Sequence, residues 1–390
     1  MFKLDKYRAA IAHKTEIRES DRGTYTVFDY VVALKDTFDS FEARNARGIA
    51  FDNATGEVIS LPYDKFHNFN ECDGWREQDI DLTQPHVILE KLDGSMIRTI
   101  KDDSPLGFHF GTRAGVTDVS KAAWDFFMNG MSDELKGNYL RYIQRKVKDG
   151  FTVIFEYVAP TNRIVIFYDR PQLILTAVRS NMLGIYQMYD FMVEDAKAYG
   201  IPYVQKVASE HSTITDLAAH IKDLKDAEGV VVRFSDGKMV KMKAEDYVRQ
   251  HKALDGLRHE KDVLQLILRG QLDDVLPLVS DEIRVRLEQF RDDVLSNVQK
   301  FDERITMRYA ELKVKHGEDR KAFALEAKQH PRSSLLFALY NSKYDLLTFL
   351  VGDKYSPGNL KTQKEVDSVR DIIGERSWYD YGAKINTGDA

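Results

Sequence analysis

Lys91-Leu92-Asp93-Gly94-Ser95 places an amine, a carboxylate and a hydroxyl within five residues, directly after the apolar run Val87-Ile88-Leu89. A protonated lysine is a poor nucleophile, but burial or nearby cations lower its pKa and free the lone pair for attack on phosphorus. The glycine permits the turn that the motif enters. Alone, the pattern also fits a surface hairpin with a solvated lysine. Glu156 is a second unusual residue. Thr152 to Val158 alternates, so this carboxylate shares a face with Ile154 and Val158, where a charge needs a partner or a ligand. Glu228 opens another apolar run, Gly229-Val230-Val231-Val232, in the same way.

Asp236-Gly237 reads as a two-residue type I′ hairpin turn. That register sets Val232 opposite Lys241, Val230 opposite Lys243 and Glu228 opposite Glu245. Alternation then puts Glu228, Lys241 and Lys243 on one face. One carboxylate and two ammonium groups on a shared face suit a metal–triphosphate site. A three-residue loop would instead send Glu228 to the other face.

The elements that must position these residues are mostly strands. β-Branched and aromatic runs predict strands at Thr24–Leu34, His86–Glu90, Met96–Lys101, Phe108–Thr112, Thr152–Val158, Gln172–Val178, Gly229–Phe234 and Met239–Lys243. A hairpin spans Gly48 to Tyr63, and a Gly-containing turn joins the strands on either side of Lys91. Helix spacing interrupts them at Ala122–Met128 and at Asp133–Val147, with Ser132 as the N-cap and Gly150 as the stop. Beyond about Lys252 the pattern turns helical. Leu287, Phe290, Val294, Val298, Phe301 and Ile305 recur at steps of three and four, and Ser333 caps an apolar stretch running to about Leu350 that Pro357-Gly358 ends. The fold class is therefore α+β: an N-terminal domain of antiparallel sheets over residues 1–254, then an all-α domain over 255–390. A chain of 390 residues is long enough for two cores.

Composition narrows the chemistry. The formal net charge of −6 means that a nucleic-acid enzyme must concentrate its positive charge locally. A single cysteine, Cys72, rules out an internal disulfide and a Cys-based zinc cluster, and the histidines lack metal-ligand spacing. No apolar run has membrane-spanning length and Met1 to Ile17 has no signal-peptide core, which gives the expectation of a cytoplasmic protein with no membrane partner.

Taken together, Lys91-Leu92-Asp93-Gly94, Glu156, Glu228-Gly229 and Lys241-Met242-Lys243 resemble, in order and spacing, motifs I, III, IV and V of the covalent nucleotidyltransferases. The run from Phe155 through Ala159-Pro160-Thr161-Asn162-Arg163 to Ile166 narrows the resemblance to the RNA ligase 1 family of T-even phages, the tRNA-repair ligases. Arg47-Gly48-Ile49 and Lys65-Phe66 resemble that family's upstream nucleotide-binding segments. The resemblance implies a nucleotidyltransferase domain in which Lys91 is the adenylated nucleophile. Tyr30, Arg47 and Lys65 would contact ATP, Glu156 would hold the ribose, and Lys241 and Lys243 would grip the α-phosphate. Arg113 stands where the family has a lysine, and His67 where it has a phenylalanine. Glu228 would coordinate Mg²⁺ or Mn²⁺, and Asp273-Asp274 resembles a pair associated with a second metal, although adjacent carboxylates also open solvated helices.

The implied reaction joins RNA 5′-phosphate and 3′-hydroxyl ends, as in a nicked tRNA, in the host cytoplasm if the protein is phage-encoded. DNA ligases and capping enzymes would continue into an OB-fold domain, and the helical pattern from Leu287 to Ile305 points away from them. A non-catalytic RNA-binding repair protein that kept the fold is the rival from another class. It would be marked by loss of Lys91 or of the Lys241/Lys243 pair, and all three are present.

Overall fold

A computed structural model describes residues 2–34, 36–352 and 358–382. Pro357 and the residues just before it, where the sequence suggests a helix break, lie outside the described residues. Tertiary contacts divide the chain into a unit ending at Val248 and a second beginning at Arg249, so the division falls inside helix Glu245–Gly256.

The first unit carries twelve strands among the described residues: β1 (Ile17–Asp21), β2 (Tyr25–Tyr30), β3 (Arg47–Asp52), β4 (Val58–Ser60), β5 (His67–Asn68), β6 (His86–Glu90), β7 (Ser95–Lys101), β8 (Phe108–Gly111), β9 (Phe151–Val158), β10 (Gln172–Ser180), β11 (Gly229–Phe234) and β12 (Met239–Lys243). They form three four-stranded sheets, ordered β1-β2-β3-β4, β10-β9-β7-β8 and β5-β12-β11-β6. The pairings are antiparallel apart from the short parallel match of β5 to β12. Antiparallel sheets dominate, as the sequence predicts.

Alternation along each strand sorts its side chains between a core and a cleft. Val230, Val232, Val240 and Met242 are buried against Ile214, Leu217 and Ile221 of helix Ile214–Lys222. The opposite face of the same two strands presents Val231, Arg233, Lys241 and Lys243. The β10-β9-β7-β8 sheet packs an aromatic layer in which Phe110, Phe127, Tyr139 and Phe155 lie with helices Asp118–Asp125 and Asp133–Lys148. Burying each such ring stabilises the unit by roughly 1.5–3 kcal/mol. Ser132 does cap the second helix, accepting a hydrogen bond from the Leu135 N–H. The first helix stays helical through Met128, but its last turn widens to a π-helix over Phe126–Gly130.

The second unit is helical throughout its described residues. Its longest element, Asp281–His316, is capped by Ser280 and buries Leu287, Phe290, Val294, Phe301, Ile305 and Leu312 on one stripe. Ser333 is not a cap. The helix Ser333–Tyr340 starts there without a side-chain cap, and a separate helix, Leu346–Val351, is capped by Asp345. Ser342 at φ 56° marks the break between the two. Glu260 is fully buried in this unit, and three groups hold it with four hydrogen bonds. Arg370 donates to both carboxylate oxygens at 2.6 and 2.8 Å, Gln363 donates at 2.9 Å and the Trp378 N–H at 3.0 Å.

Candidate active site

Lys91 is not in a hairpin turn. β6 and β7 belong to different sheets, so residues 91–94 cross from the β5-β12-β11-β6 sheet to the β10-β9-β7-β8 sheet. The Lys91 N–H still donates to the Gly229 carbonyl at 2.9 Å, which pins the loop to β11. Gly94 has no left-handed backbone. Its need is space: a Cβ there would stand 2.5 Å from the Tyr157 carbonyl oxygen and 2.8 Å from Val158 Cγ1. Asp93 explains the motif's carboxylate. It is 2% exposed, and its Oδ2 accepts from the Val165 and Ile166 N–H groups at 2.8 and 2.7 Å. Its Oδ1 accepts from the Tyr247 hydroxyl at 2.7 Å, while its own N–H donates to Tyr168. Asn162 donates to Ser95 Oγ at 3.1 Å and to the Tyr157 carbonyl at 3.0 Å. The long run from Phe155 to Ile166 is thus the bracket that holds the Lys91 loop.

Glu228 reaches Lys91 by a route other than the one the sequence suggests. The hairpin loop has three residues, Ser235-Asp236-Gly237, closed by the Phe234 N–H to the Lys238 carbonyl at 2.9 Å. Val231 therefore pairs with Lys241 and Gly229 with Lys243, one residue out of the predicted register. Simple alternation would now turn Glu228 away. Gly229 reverses that: its φ of +142° re-aims the chain, and its bare Cα lies so near β12 that a Cβ would stand 2.0 Å from the Met242 carbonyl oxygen. Glu228, 3% exposed, then puts Oε1 2.7 Å from Lys91 Nζ and 2.9 Å from Lys243 Nζ.

The electrostatics follow. Burial alone would favour a neutral Lys91, but Glu228 and Glu156 outweigh it and hold the amine above the ordinary lysine range. The expectation of a lowered pKa fails for the free protein because two carboxylates, not cations, are the amine's nearest charges. Burial also raises Glu228, yet Lys91 and Lys243 bring it below the usual glutamate value. Glu156, on β9, differs. Burial pushes it up to about 8 against the pull of Lys91, with a Gly94 N–H as its hydrogen-bond donor. Lys241 is brought down to about 7, first by burial and then by repulsion from Lys65, Arg47, Lys91 and Lys243.

Around this core the cations stand on aromatic faces. Lys65 Nζ lies 5.0 Å from the Phe38 ring centre and 5.9 Å from that of Tyr30, and Lys241 Nζ lies 5.6 Å from that of Phe66. Arg113 covers Tyr30 at 4.2 Å, donates to the Tyr30 carbonyl at 2.9 Å and pairs with Asp29 at 3.2 Å. Arg47 donates to the Asp64 carbonyl at 3.1 Å. A cavity of about 230 Å³ opens beside Lys91, walled by Leu89, Met96, Val231 and Met239, with Arg47, Glu156 and Arg233 among its polar lining. Its size is below the roughly 300–1,000 Å³ of drug-sized pockets and suits a single ring system with its sugar.

A family model described as RNA ligase, of the T4 RNA ligase 1 type, matches residues 45–249, more than half of the chain and every cleft residue just named from Arg47 onward. The chain belongs to this RNA ligase family. A protein of Thermovibrio ammonificans described as a candidate RNA ligase is 27% identical over 289 residues, covering 71% of this chain and 73% of that protein. RNA ligase 1 of bacteriophage TS2126 is 26% identical over 209 residues, 52% of this chain and 51% of the phage protein, so the chain spans about half of that relative's length. Among solved structures, an archaeal ATP-dependent RNA ligase aligns over 64% of each chain at 15% identity with a TM-score of 0.45.

Within this RNA ligase the cleft brings together Lys91, Glu228, Lys243, Glu156, Lys241, Arg47 and Lys65. His67 is engaged elsewhere: its Nδ1 lies 2.9 Å from Glu71, and its ring packs on Trp75 at 4.6 Å. Asp273 and Asp274 stand exposed on the single turn Leu272–Asp274 of the helical unit. No group of three or more His, Cys, Asp or Glu side chains able to hold a metal occurs among the described residues. Glu228 alone fits an ion such as Mg²⁺, which takes one or two carboxylates and fills its shell with phosphate oxygens and water. It does not fit a closed all-protein cage. Sequence reasoning missed the brackets, Asp93 with Tyr247 and Asn162 with Ser95, and it missed Arg233 on the cleft wall. The buried polar residues in an otherwise apolar strand were the available signal for Arg233.

Proposed function

We propose that this RNA ligase works by adenylyl transfer through Lys91, using ATP and a divalent cation, to join RNA ends that carry a 5′-phosphate and a 3′-hydroxyl. The observation that carries the reading is Lys91 Nζ, 2.7 Å from Glu228 at the edge of a ring-sized cavity, with Lys243, Lys241, Arg47 and Lys65 grouped beside it. One nucleophile, one metal-competent carboxylate and four cations are what an attack on the α-phosphorus of a nucleoside triphosphate needs.

In the first step the Lys91 amine forms an N–P bond to the α-phosphorus while the bond to pyrophosphate breaks. The Asp93 bracket holds the amine's loop still during that displacement, and the Lys91 ammonium must first pass a proton to solvent, which a cation at Glu228 would favour by drawing that carboxylate away from Nζ. A divalent ion at Glu228 would supply charge neutralisation on the phosphate oxygens when bound. Lys241 and Lys243 stabilise the charge that develops on the α-phosphate and pyrophosphate, and Glu156 accepts the sugar. The AMP then passes to an RNA 5′-phosphate, and a 3′-hydroxyl displaces it to close the strand.

A nicked tRNA is the natural substrate that the sequence resemblance supports, with Mg²⁺ as the ion, Asp273-Asp274 as a second cation site and the host cytoplasm as the setting. Among the described residues no helix is long and apolar enough to cross a membrane. The test is to incubate the protein with ATP labelled on its α-phosphate and Mg²⁺, denature it, and then chase native adduct with 5′-phosphorylated RNA or DNA. Label on the chain that passes to RNA and is absent from Lys91→Ala supports the reading. Label retained in Lys91→Ala would sink it.

A further inference from the structure

The cavity beside Lys91 has a second end, remote from the phosphate chemistry. Lys91 pairs beside Gly229, whereas Arg233 lies four residues further along β11, roughly 13 Å away at the rise of a strand. Arg233 is 6% exposed and lines the cavity with Tyr63, Thr176 and Met239. Its guanidinium is held rigid. Nη2 donates to the Gln187 carbonyl, and the plane lies over the Tyr186 ring at 5.1 Å. Tyr186 is itself fixed: its hydroxyl donates to Asp64 Oδ1 at 2.7 Å, and Arg179 covers its ring at 4.7 Å. Among the described residues, Nη1 of Arg233 has no hydrogen-bond partner. A buried charged donor left unpaired is costly, and native proteins rarely keep one without a purpose. Leu89, Val204 and Met239 supply apolar walls against which a flat ring can lie.

Resting on the adenylyl-transfer reading above, we propose that Arg233 is a specificity-determining residue whose Nη1 donates a hydrogen bond to N1 of adenine. With the α-phosphate at Lys91 and the ribose at Glu156, the edge of a purine farthest from its sugar extends toward Arg233. N1 of adenine is an acceptor. N1 of guanine carries a hydrogen and would set donor against donor. Arg233 therefore favours ATP over GTP by pairing with one base and opposing the other, the asymmetry that gives polar recognition its selectivity.

The experiment measures KM for formation of the covalent adduct with ATP, 1-deaza-ATP, 7-deaza-ATP and GTP, each labelled on the α-phosphate. The wild type should show a KM roughly tenfold higher or more for 1-deaza-ATP than for ATP, as expected for one lost bond to a charged donor. It should accept 7-deaza-ATP like ATP and use GTP worst. In Arg233→Met the KM for ATP should rise by a similar factor, and the difference between ATP and 1-deaza-ATP should vanish. Wild type that uses 1-deaza-ATP as well as ATP would overturn the assignment, even if the variant failed to fold. So would a variant with a raised KM but the same ratio between the two nucleotides, since that is the mark of a packing role. Loss of discrimination removes only Arg233, because the adduct with ATP still forms. Absence of any adduct with ATP would overturn the parent reading, and this proposal with it.

Discussion

Glu260 in the helical unit and Glu156 in the sheet unit are both carboxylates drawn out of water, and they are treated in opposite ways. Glu260 is met by a bidentate arginine, an amide and a backbone N–H, so every acceptor position of consequence is filled from within its own unit. Glu156 receives a backbone N–H from Gly94 and the distant pull of Lys91, and burial still carries it up to about 8. Glu228 stands between these extremes: beside the Tyr247 hydroxyl, its partners are two lysines placed to act on something else. A carboxylate whose partners are complete holds the fold together. One whose partners are incomplete, or are themselves reactive, is set for a ligand.

The largest effect that would sharpen this contrast is on chemistry. Glu228→Gln leaves Lys91 and Lys243 facing each other without a counter-charge and removes the cation's ligand. Adduct formation should fall by roughly 10²–10³-fold, with circular dichroism unchanged, and activity within a few-fold of wild type would break the assignment. Next comes stability. Glu260→Ala removes four hydrogen bonds from the interior and leaves half-buried Arg370 with Asp367, at 3.2 Å, as its carboxylate partner, so it should cost about 3 kcal/mol in denaturant unfolding of the full chain, while any molecules still folded adenylate normally. If that variant is as stable as wild type, Glu260 is not the structural member of the pair.

Smaller effects test the titrations. Lys241, at about 7 in the free protein, carries its charge only at lower pH. Bound phosphates raise that value again, so pyrophosphate binding takes up a proton above pH 7 and weakens as pH rises. Affinity measured from pH 6.5 to 9 should fall by up to about tenfold per unit where the proton must be supplied, and Lys241→Met should flatten the profile. The smallest change is expected from Glu156→Gln. Because Glu156 keeps its proton below about 8, the amide is a close mimic at pH 7, and the rate should change by only a few-fold. Above pH 8 the wild type should lose rate as Glu156 ionises, while the variant does not. A large deficit at pH 7 would show that the charged form is the working one.

Much of this was legible in the linear chain because strands announce themselves locally. β11 and β12 begin and end where their β-branched runs do, and the charged residues of the cleft are recognisable by type and order. What the chain did not disclose depends on distant partners. Nothing in Val87 through Lys101 tells that β6 and β7 enter different sheets, since either pairing satisfies the same alternation. Asp93 reads as part of a nucleophile motif until Val165 and Ile166 arrive from more than seventy residues on. The hairpin shows how local error propagates. One extra loop residue shifts the register and flips every side chain, and a glycine at φ +142° flips one of them back. Glu228 ends on the predicted face through two departures that cancel. The raised Lys91 was hidden for the same reason, because the sign of its surroundings is a property of the assembled cleft.

The crossing at residues 91–94 has a mechanical consequence. Because this tetrapeptide ties one sheet to the other, with β11 anchoring one end and β9 crowding the other, the width of the cleft and the position of the reactive amine are a single coordinate. Any force that spreads the sheets stretches the tie and withdraws the amine, and any ligand that draws them together tightens it.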